Sequence, residues 1–303
     1  MSRDGTEPSS RERWVDVEGL WVHTADWEPA SARADAPPVL LVHGLGGNTV
    51  NWELVGQPLA DALGVVVTAV DLPGFGRTRS DTRAPVFPLY LELLTELLGG
   101  REPALVIGNS MGGSLGVALA GNHPDLVTGL VLVNPALPRP RGNLEQLSRT
   151  AKFAALTLPR AATPIVRARA RALGHQGLVD ATLSLAMAHP EQLDPAVRSR
   201  LISLSAERHG FPDTAASYTL AGGSLFRYLI GPMTRDLAAI KCPTLIMHGR
   251  RDRLVPVAWA RAQAAKRRDW TFVELDGCGH VPQLEQPDRF VGTVTSWLSR
   301  VSV

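Results

Sequence analysis

Apolar and polar positions along this chain switch between two rhythms. Short, nearly unbroken apolar runs of strand length occur at Val39–Val42, Val65–Val70, Ala104–Ile107, Val127–Val133, Thr244–His248 and Trp270–Leu275. A continuous run, as opposed to an alternating one, suits a strand covered on both faces. Between these runs lie longer stretches with helical spacing at Glu53–Leu63, Phe87–Leu98, Ser114–Ala120, Ala258–Lys266 and Asp288–Val301. Strands alternating with helices predict an α/β architecture, a mostly parallel central sheet with helices on both faces. Ahead of it, Trp14–Trp27 reads as two strands turning at Glu18-Gly19, and residues 1–12 read as a polar, disordered tail.

The rhythm changes between Pro138 and Arg235. Strand-like runs disappear and helical stretches dominate, among them Leu178–Met187, Pro195–Ser205 and Thr214–Ile230. The expected organisation is therefore a core made of residues 13–137 and 236–303, interrupted by a helical cap over 138–235.

The chemistry sits at the ends of predicted strands. Residues 106–113 read Val-Ile-Gly-Asn-Ser-Met-Gly-Gly, a strand running through Ser110 into a helix. That is the Gly-x-Ser-x-Gly nucleophile elbow. A serine at the tip of so tight a turn has a strained backbone, and Gly108 and Gly112 remove side chains that would collide there. Serine is a poor nucleophile at neutral pH. It needs an imidazole to take its proton and a carboxylate to orient that imidazole. Asp252 follows the strand Thr244–His248, and His280 follows the strand ending at Leu275. Asp276 is a rival acid close to His280 in sequence. A further apolar strand runs into His43-Gly44-Leu45-Gly46-Gly47. This loop lacks the third glycine of a dinucleotide site, and Asp71-Leu-Pro-Gly-Phe-Gly76 lacks the Lys-Ser/Thr of a P-loop.

His-Gly-x-Gly, Asp-x-Pro-Gly-x-Gly, Gly-x-Ser-x-Gly, the Gly-x-x-Asp turn and the Gly-His loop follow one another in the order of the α/β-hydrolases. From about residue 15 onward, the cap insertion aside, the chain resembles a capped α/β-hydrolase-fold serine hydrolase of the esterase and lipase kind. The resemblance implies a triad of Ser110, Asp252 and His280. It also implies an oxyanion hole made by the backbone N–H groups of Leu45 and Met111, with His43, Gly44, Gly108 and Gly112 supporting elbow and loop. Haloalkane dehalogenases and epoxide hydrolases of this fold use an Asp nucleophile, which Ser110 argues against. The elbow Gly-Asn-Ser-Met-Gly-Gly is also similar to that of carbon–carbon hydrolases acting on meta-cleavage products. Those enzymes commonly carry Trp after the catalytic His, where this chain has Val281, and they need an arginine for a dienoate carboxylate. Cofactor-free perhydrolases share the triad. Non-catalytic binding proteins of this fold typically lose one of its members, and this chain keeps all three. The expected substrate is a small-molecule or lipid-like ester or thioester.

Composition narrows the partners. The 303 residues suffice for one such domain with a cap, and 45% hydrophobic content suits a large buried core. A net charge of +2 gives no case for nucleic acid. No metal-ligand spacing appears among the cap histidines His175, His189 and His209, and no metal or cofactor is expected. The N-terminus lacks the apolar core of a signal peptide, and no apolar segment is long enough to span a bilayer. Cys242 precedes one strand and Cys278 follows the next, which puts them at opposite edges of a parallel sheet and predicts free thiols. Together these features fit a cytoplasmic protein. The first part of the cap is basic: Arg139, Arg141, Arg149, Lys152, Arg160, Arg167, Arg169 and Arg171 face only Glu145 before Asp180. Such a run usually solvates a face. The sharper alternative is peripheral contact with anionic lipid or with phosphate on an acyl carrier.

Overall fold

The computed structural model describes residues 10–33, 36–80, 83–139, 159–208, 211 and 214–301. Strands β1 (Arg11–Val17) and β2 (Leu20–Trp27) form an antiparallel hairpin. Its two-residue turn places Glu18 and Gly19 at positive φ, and the Asp16 carboxylate accepts from Gly19 N at 2.8 Å. Strand β1 begins at Arg11, so Arg11 and Glu12 are paired strand residues and not part of a disordered tail. Polar side chains on an edge strand leave the backbone free to pair, which a polarity pattern does not register.

Six further strands complete one sheet: β3 (Val39–Val42), β4 (Val67–Val70), β5 (Ala104–Asn109), β6 (Val127–Val133), β7 (Thr244–Gly249) and β8 (Thr271–Leu275). The order is β1-β2-β4-β3-β5-β6-β7-β8, antiparallel as far as the β2/β4 pair and parallel from β4 to β8. Successive residues of each central strand face opposite sides. Leu40 and Val42 point into one core with Val106, Leu130 and Leu132, while Val39 and Leu41 join Leu105, Ile107, Val131 and Val133 in the other. The first core is closed by α2 (Phe87–Leu98) and α3 (Met111–Asn122), the second by α1 (Glu53–Leu63) and a C-terminal helix (Pro287–Leu298). Each fully buried Leu or Val contributes about 1.5–3 kcal/mol relative to an exposed one.

This topology positions the site. From β3 the chain goes to β4 on one side and then crosses back to β5 on the other. The reversal opens a crevice at the carboxyl ends of the parallel strands. The loops after β3, β5, β7 and β8 all leave from that edge.

Between β6 and β7 the described elements are helices: α4 (Pro159–Ala186), α5 (Pro195–Glu207), α6 (Thr214–Ile230) and α7 (Met233–Ala239). Helix α4 absorbs the expected Leu178–Met187 helix and breaks at Gly174, where φ is +63°. Helix α5 starts where the sequence allows, with the Asp194 carboxylate accepting from Ala196 N at 2.7 Å and Pro195 in the first turn. Leu183, Met187, Leu193, Val197, Leu201 and Leu204 form an apolar cluster with Val50 and Leu284 of the sheet domain. The Arg208 guanidinium reinforces that contact by donating to the Gly74 and Gly76 carbonyls at 2.5 Å. After β7 come α8 (Val257–Ala264), the short α9 (Pro282–Glu285) and α10 (Pro287–Leu298). Both cysteines are free. Among the described residues no helix is long and apolar enough to cross a membrane.

Candidate active site

Strand β5 ends at Asn109, α3 begins at Met111, and Ser110 alone makes the turn. Its φ of +53° and ψ of −112° lie where a residue with a Cβ is strained. The surroundings hold it there. Ser110 N donates to Val133 O at 2.9 Å, and Ser110 O accepts from Ser114 N at 3.1 Å and Ala136 N at 3.2 Å. A serine ahead of a helix ordinarily caps it with its hydroxyl. Ser110 does not, and its side chain remains partly exposed. A Cβ on Gly108 would sit 2.3 Å from Gly112 O, and one on Gly112 would sit 2.0 Å from Val42 O. The first clash lies within the elbow, as the spacing implies. The second is with the end of β3, so Gly112 also lets the elbow lie against the neighbouring loop.

Asp252 and His280 meet across the ends of β7 and β8. His280 Nδ1 is 2.7 Å from Asp252 Oδ2. The same oxygen accepts from Asn134 Nδ2 at 2.7 Å, and His248 Nε2 lies 3.3 Å away. The other oxygen accepts from Leu254 N at 2.7 Å and Val255 N at 3.0 Å. Burial alone would raise the Asp252 pKa. The charge of His280 and the hydrogen bonds from His248 and His280 outweigh it and hold the carboxyl far below the usual carboxylate range. With Nδ1–H given to Asp252, Nε2 is the ring nitrogen left to accept a proton. Asp276, the rival acid, is exposed and paired with Arg250 Nη1 at 2.8 Å.

The His280 loop is tied on both sides. His280 N donates to Ala186 O, at the end of α4, at 2.6 Å. His280 O accepts from Asn109 Nδ2 at 3.0 Å. The residue before Ser110 is thus bonded directly to the backbone of His280.

The loop after β3 abuts the elbow, since a Cβ on Gly44 would lie 3.0 Å from Ser110 Cβ. His43 is fully buried and locks this loop. Its Nδ1 donates to Gly44 O at 2.7 Å, and its Nε2 accepts from Leu72 N at 3.0 Å. One nitrogen donates and the other accepts, so the ring is neutral, and burial pushes its pKa down. Leu45 is partly buried in this loop. Met111 supplies the first N–H of α3, which has no carbonyl partner within the helix. Asp71 braces the loop from below: Oδ1 accepts from Thr49 N at 2.7 Å, and Oδ2 accepts from Arg77 N at 2.8 Å and His23 Nδ1 at 2.7 Å. Gly76 is obligatory beside it, since a Cβ there would lie 1.9 Å from Asp71 Cγ.

Sequence reasoning missed three supporting residues. Asn134 takes a positive φ of 45° just after β6, donates to Asp252 and to Gly279 O, and accepts from Gly249 N. An Asn directly before Pro at a strand end was the available signal, because Asn tolerates the left-handed region. Asn109 carried no signal beyond its place beside Ser110. Glu285 accepts from Gly279 N at 2.9 Å and Ala188 N at 2.7 Å, joining the His280 loop to the segment after α4. Burial pushes its pKa up. Among the described residues no group of His, Cys, Asp and Glu could hold a metal. Of the cap residues singled out in the sequence, Arg141, Glu145, Arg149, Lys152 and His209 lie outside the described residues, as does the side chain of Arg160.

The profile of the Alpha/beta hydrolase family matches residues 39–293. Three relatives span most of the chain. It is 29% identical over 282 residues to a dihydrolipoyllysine-residue acetyltransferase component of the acetoin cleaving system of Cupriavidus necator, covering 92% of this chain and 66% of that one. It is 29% identical to the pimeloyl-[acyl-carrier protein] methyl ester esterase of Aromatoleum aromaticum, covering 83% and 94%. It is 28% identical to the 2-hydroxy-6-oxononadienedioate/2-hydroxy-6-oxononatrienedioate hydrolase of Klebsiella pneumoniae, covering 86% and 87%. Among solved structures, a haloalkane dehalogenase loop variant from Bradyrhizobium elkanii superposes with a TM-score of 0.74 at 21% identity, covering 96% of this chain and 97% of that one. That likeness carries the fold alone.

Proposed function

The chain belongs to the alpha/beta hydrolase family, and from that premise we propose that it is a serine hydrolase cleaving carboxylic ester or thioester bonds through an acyl-enzyme. The observation that carries the reading is the Asp252 carboxylate paired with His280, on a loop bonded through Asn109 to the elbow that presents Ser110. In this mechanism Ser110 Oγ attacks the substrate carbonyl carbon as His280 Nε2 takes its proton. The carbonyl oxygen becomes an oxyanion held by the N–H groups of Leu45 and Met111. Two fixed donors of this kind stabilise the transition state by several kcal/mol. The tetrahedral intermediate collapses, and His280 passes the proton to the departing alcohol or thiol. Water then attacks the acyl-enzyme with His280 as base, which releases the acid and restores Ser110. Asp252 stays ionised throughout and stabilises the imidazolium. The described helices between β6 and β7 act as a cap that shapes the acyl and alcohol sites.

Ester chemistry ranks above carbon–carbon hydrolysis, the reading favoured by the similarity to the dienedioate hydrolase. A dienoate carboxylate needs an arginine. Arg198 is engaged by Asp180, Arg200 by Glu53, and Arg208 by two carbonyls, while Arg167, Arg169, Arg171 and Arg227 are exposed. Val281 replaces the Trp that commonly follows the histidine in carbon–carbon hydrolases. The purified protein, with no metal or cofactor added, is expected to prefer p-nitrophenyl esters over a 2-hydroxy-6-oxo-dienoate by about a hundredfold in kcat/KM, or about 3 kcal/mol of discrimination. Efficient dienoate cleavage with negligible ester turnover reverses the ranking.

A further inference from the structure

The first half of α4 ends at the Gly174 break and presents an unusual outer face. Ile165 is 61% exposed and Leu173 40% exposed. Arg167, Arg169 and Arg171 are exposed as well, and among the described residues none of the three is ion-paired. Between Pro159 and Val179 the chain has no Asp or Glu. At about 100° per residue, Ile165, Ala168 and Ala172 fall in one sector roughly 60° wide. Arg169 lies about 40° beyond one edge of that sector and Arg171 about 60° beyond the other, with Arg167 a further 40° round, next to the packed face. Thr163, Val166 and Ala170, on the opposite face, are the partly buried ones, and Thr163 Oγ1 lies 2.8 Å from Thr219 Oγ1 of α6.

The outer face is not uniformly polar: Ile165 stands exposed at one edge of the sector, with Ala168 and Ala172 beside it. We propose that this face of α4 docks on an anionic lipid surface. The apolar strip would sink into the boundary between headgroups and acyl chains, while the three guanidinium groups snorkel to the phosphates on either side. The charge is complementary, and the helix has the width and polarity of an interfacial segment. An acidic protein would satisfy the arginines but gives Ile165 nothing to enter. The opposite face of α4 is linked through α6 to the loop after β3. Helix α6, on which α4 packs, carries Tyr218, and a Cβ on Gly46 of the loop after β3 would meet the Tyr218 ring at 3.3 Å. Docking by α4 would therefore bring an interface that contains ester lipids to one side of the crevice. Binding itself does not depend on the hydrolytic reading.

The test uses the full chain as Ser110→Ala, so that lipid cleavage cannot alter the vesicles. It measures co-sedimentation with phosphatidylglycerol-containing vesicles and with pure phosphatidylcholine vesicles. The protein is expected to bind the anionic vesicles, to bind the neutral ones weakly, and to be released by high salt. At roughly fivefold per arginine, the combined Arg167→Gln, Arg169→Gln and Arg171→Gln variant weakens binding by about a hundredfold. Ile165→Ser weakens it by about fivefold. Circular dichroism melting checks that both variants fold like the parent. Absence of binding to anionic vesicles at low salt overturns the proposal, as does undiminished binding by the arginine variant. If Ile165→Ser binds like the parent and soluble poly-glutamate displaces the protein completely, an acidic protein partner replaces lipid as the occupant.

Discussion

Among the described residues, two buried histidine–aspartate pairs share the same Nδ1–Oδ2 contact. His280 Nδ1 lies 2.7 Å from Asp252 Oδ2, and His23 Nδ1 lies 2.7 Å from Asp71 Oδ2. Both carboxyls are held below their ordinary range against the effect of burial. What differs is the other ring nitrogen and its surroundings. His23 Nε2 is sealed off with no hydrogen-bond partner, has Glu12 Oε2 at 3.8 Å, and belongs to a ring that Trp14 covers edge-on. His280 stands on a loop bonded to the residue before Ser110. The pair geometry alone therefore identifies no active site. Asp71 spends its lone pairs on backbone N–H groups that shape the loop after β3. Asp252 spends part of its own on a histidine whose loop is bonded to the residue before the strained serine.

The sharpest way to break this comparison is to neutralise each acid in turn. Asp252→Asn is expected to fold and to lose about 10⁴-fold in kcat, because an amide cannot stabilise the imidazolium. Asp71→Asn is expected to cost about 3–5 kcal/mol of stability, since it leaves a buried partner unmatched. Its folded fraction should keep kcat within about tenfold of the parent. Steady-state kinetics beside urea melts separate the two, and Asp276→Asn should resemble wild type in both. If Asp276→Asn is crippled and Asp252→Asn is not, the acid is misassigned.

A smaller effect is expected at Asn134. Asn134→Ala removes a bond to the Asp252 carboxylate and one to Gly279 O. A hydrogen bond to a charged group is worth about 1.5–3 kcal/mol. The variant should lose stability of that order and about tenfold or more in kcat, with KM little changed because the side chain acts through Asp252. A change in KM alone would assign Asn134 to substrate binding.

The smallest expected effect is on pH dependence. His43 has a lowered pKa, so near and below its ordinary value of about 6.5 the unfolded chain binds more protons than the folded one. Stability then rises with pH, and its loss begins as pH falls through about 6.5. Asp71 and Asp252 add a second loss below about pH 4, where the unfolded carboxyls take up protons that the folded ones resist. Urea melts from pH 8 to pH 5 should show the first decline, and His43→Asn should flatten it. An unchanged slope in that variant would move the effect to another histidine.

The sheet was legible because parallel strands buried on both faces leave unbroken apolar runs, as at Val39–Val42 and Val127–Val133. The candidate triad was legible because each member stands just beyond such a run. Gly112 was legible as necessary but not for its full reason, since its closest clash is with β3 and not with the elbow. Asn134 and His43 were harder. Their roles depend on bonds to Asp252 and Leu72, formed only when loops from separate strands converge at one sheet edge. The start of the edge strand, Arg11 to Arg13, escaped because those side chains are polar while the backbone is paired.

The central claim is that Ser110 is a nucleophile activated by His280 and Asp252. Intact-protein mass spectrometry after exposure to a fluorophosphonate probe tests it most directly, followed by peptide mapping. One adduct per chain on Ser110 is expected in the parent, none in Ser110→Ala, and far slower labelling in Asp252→Asn. An adduct elsewhere, or labelling of Ser110→Ala at the parent's rate, would contradict it.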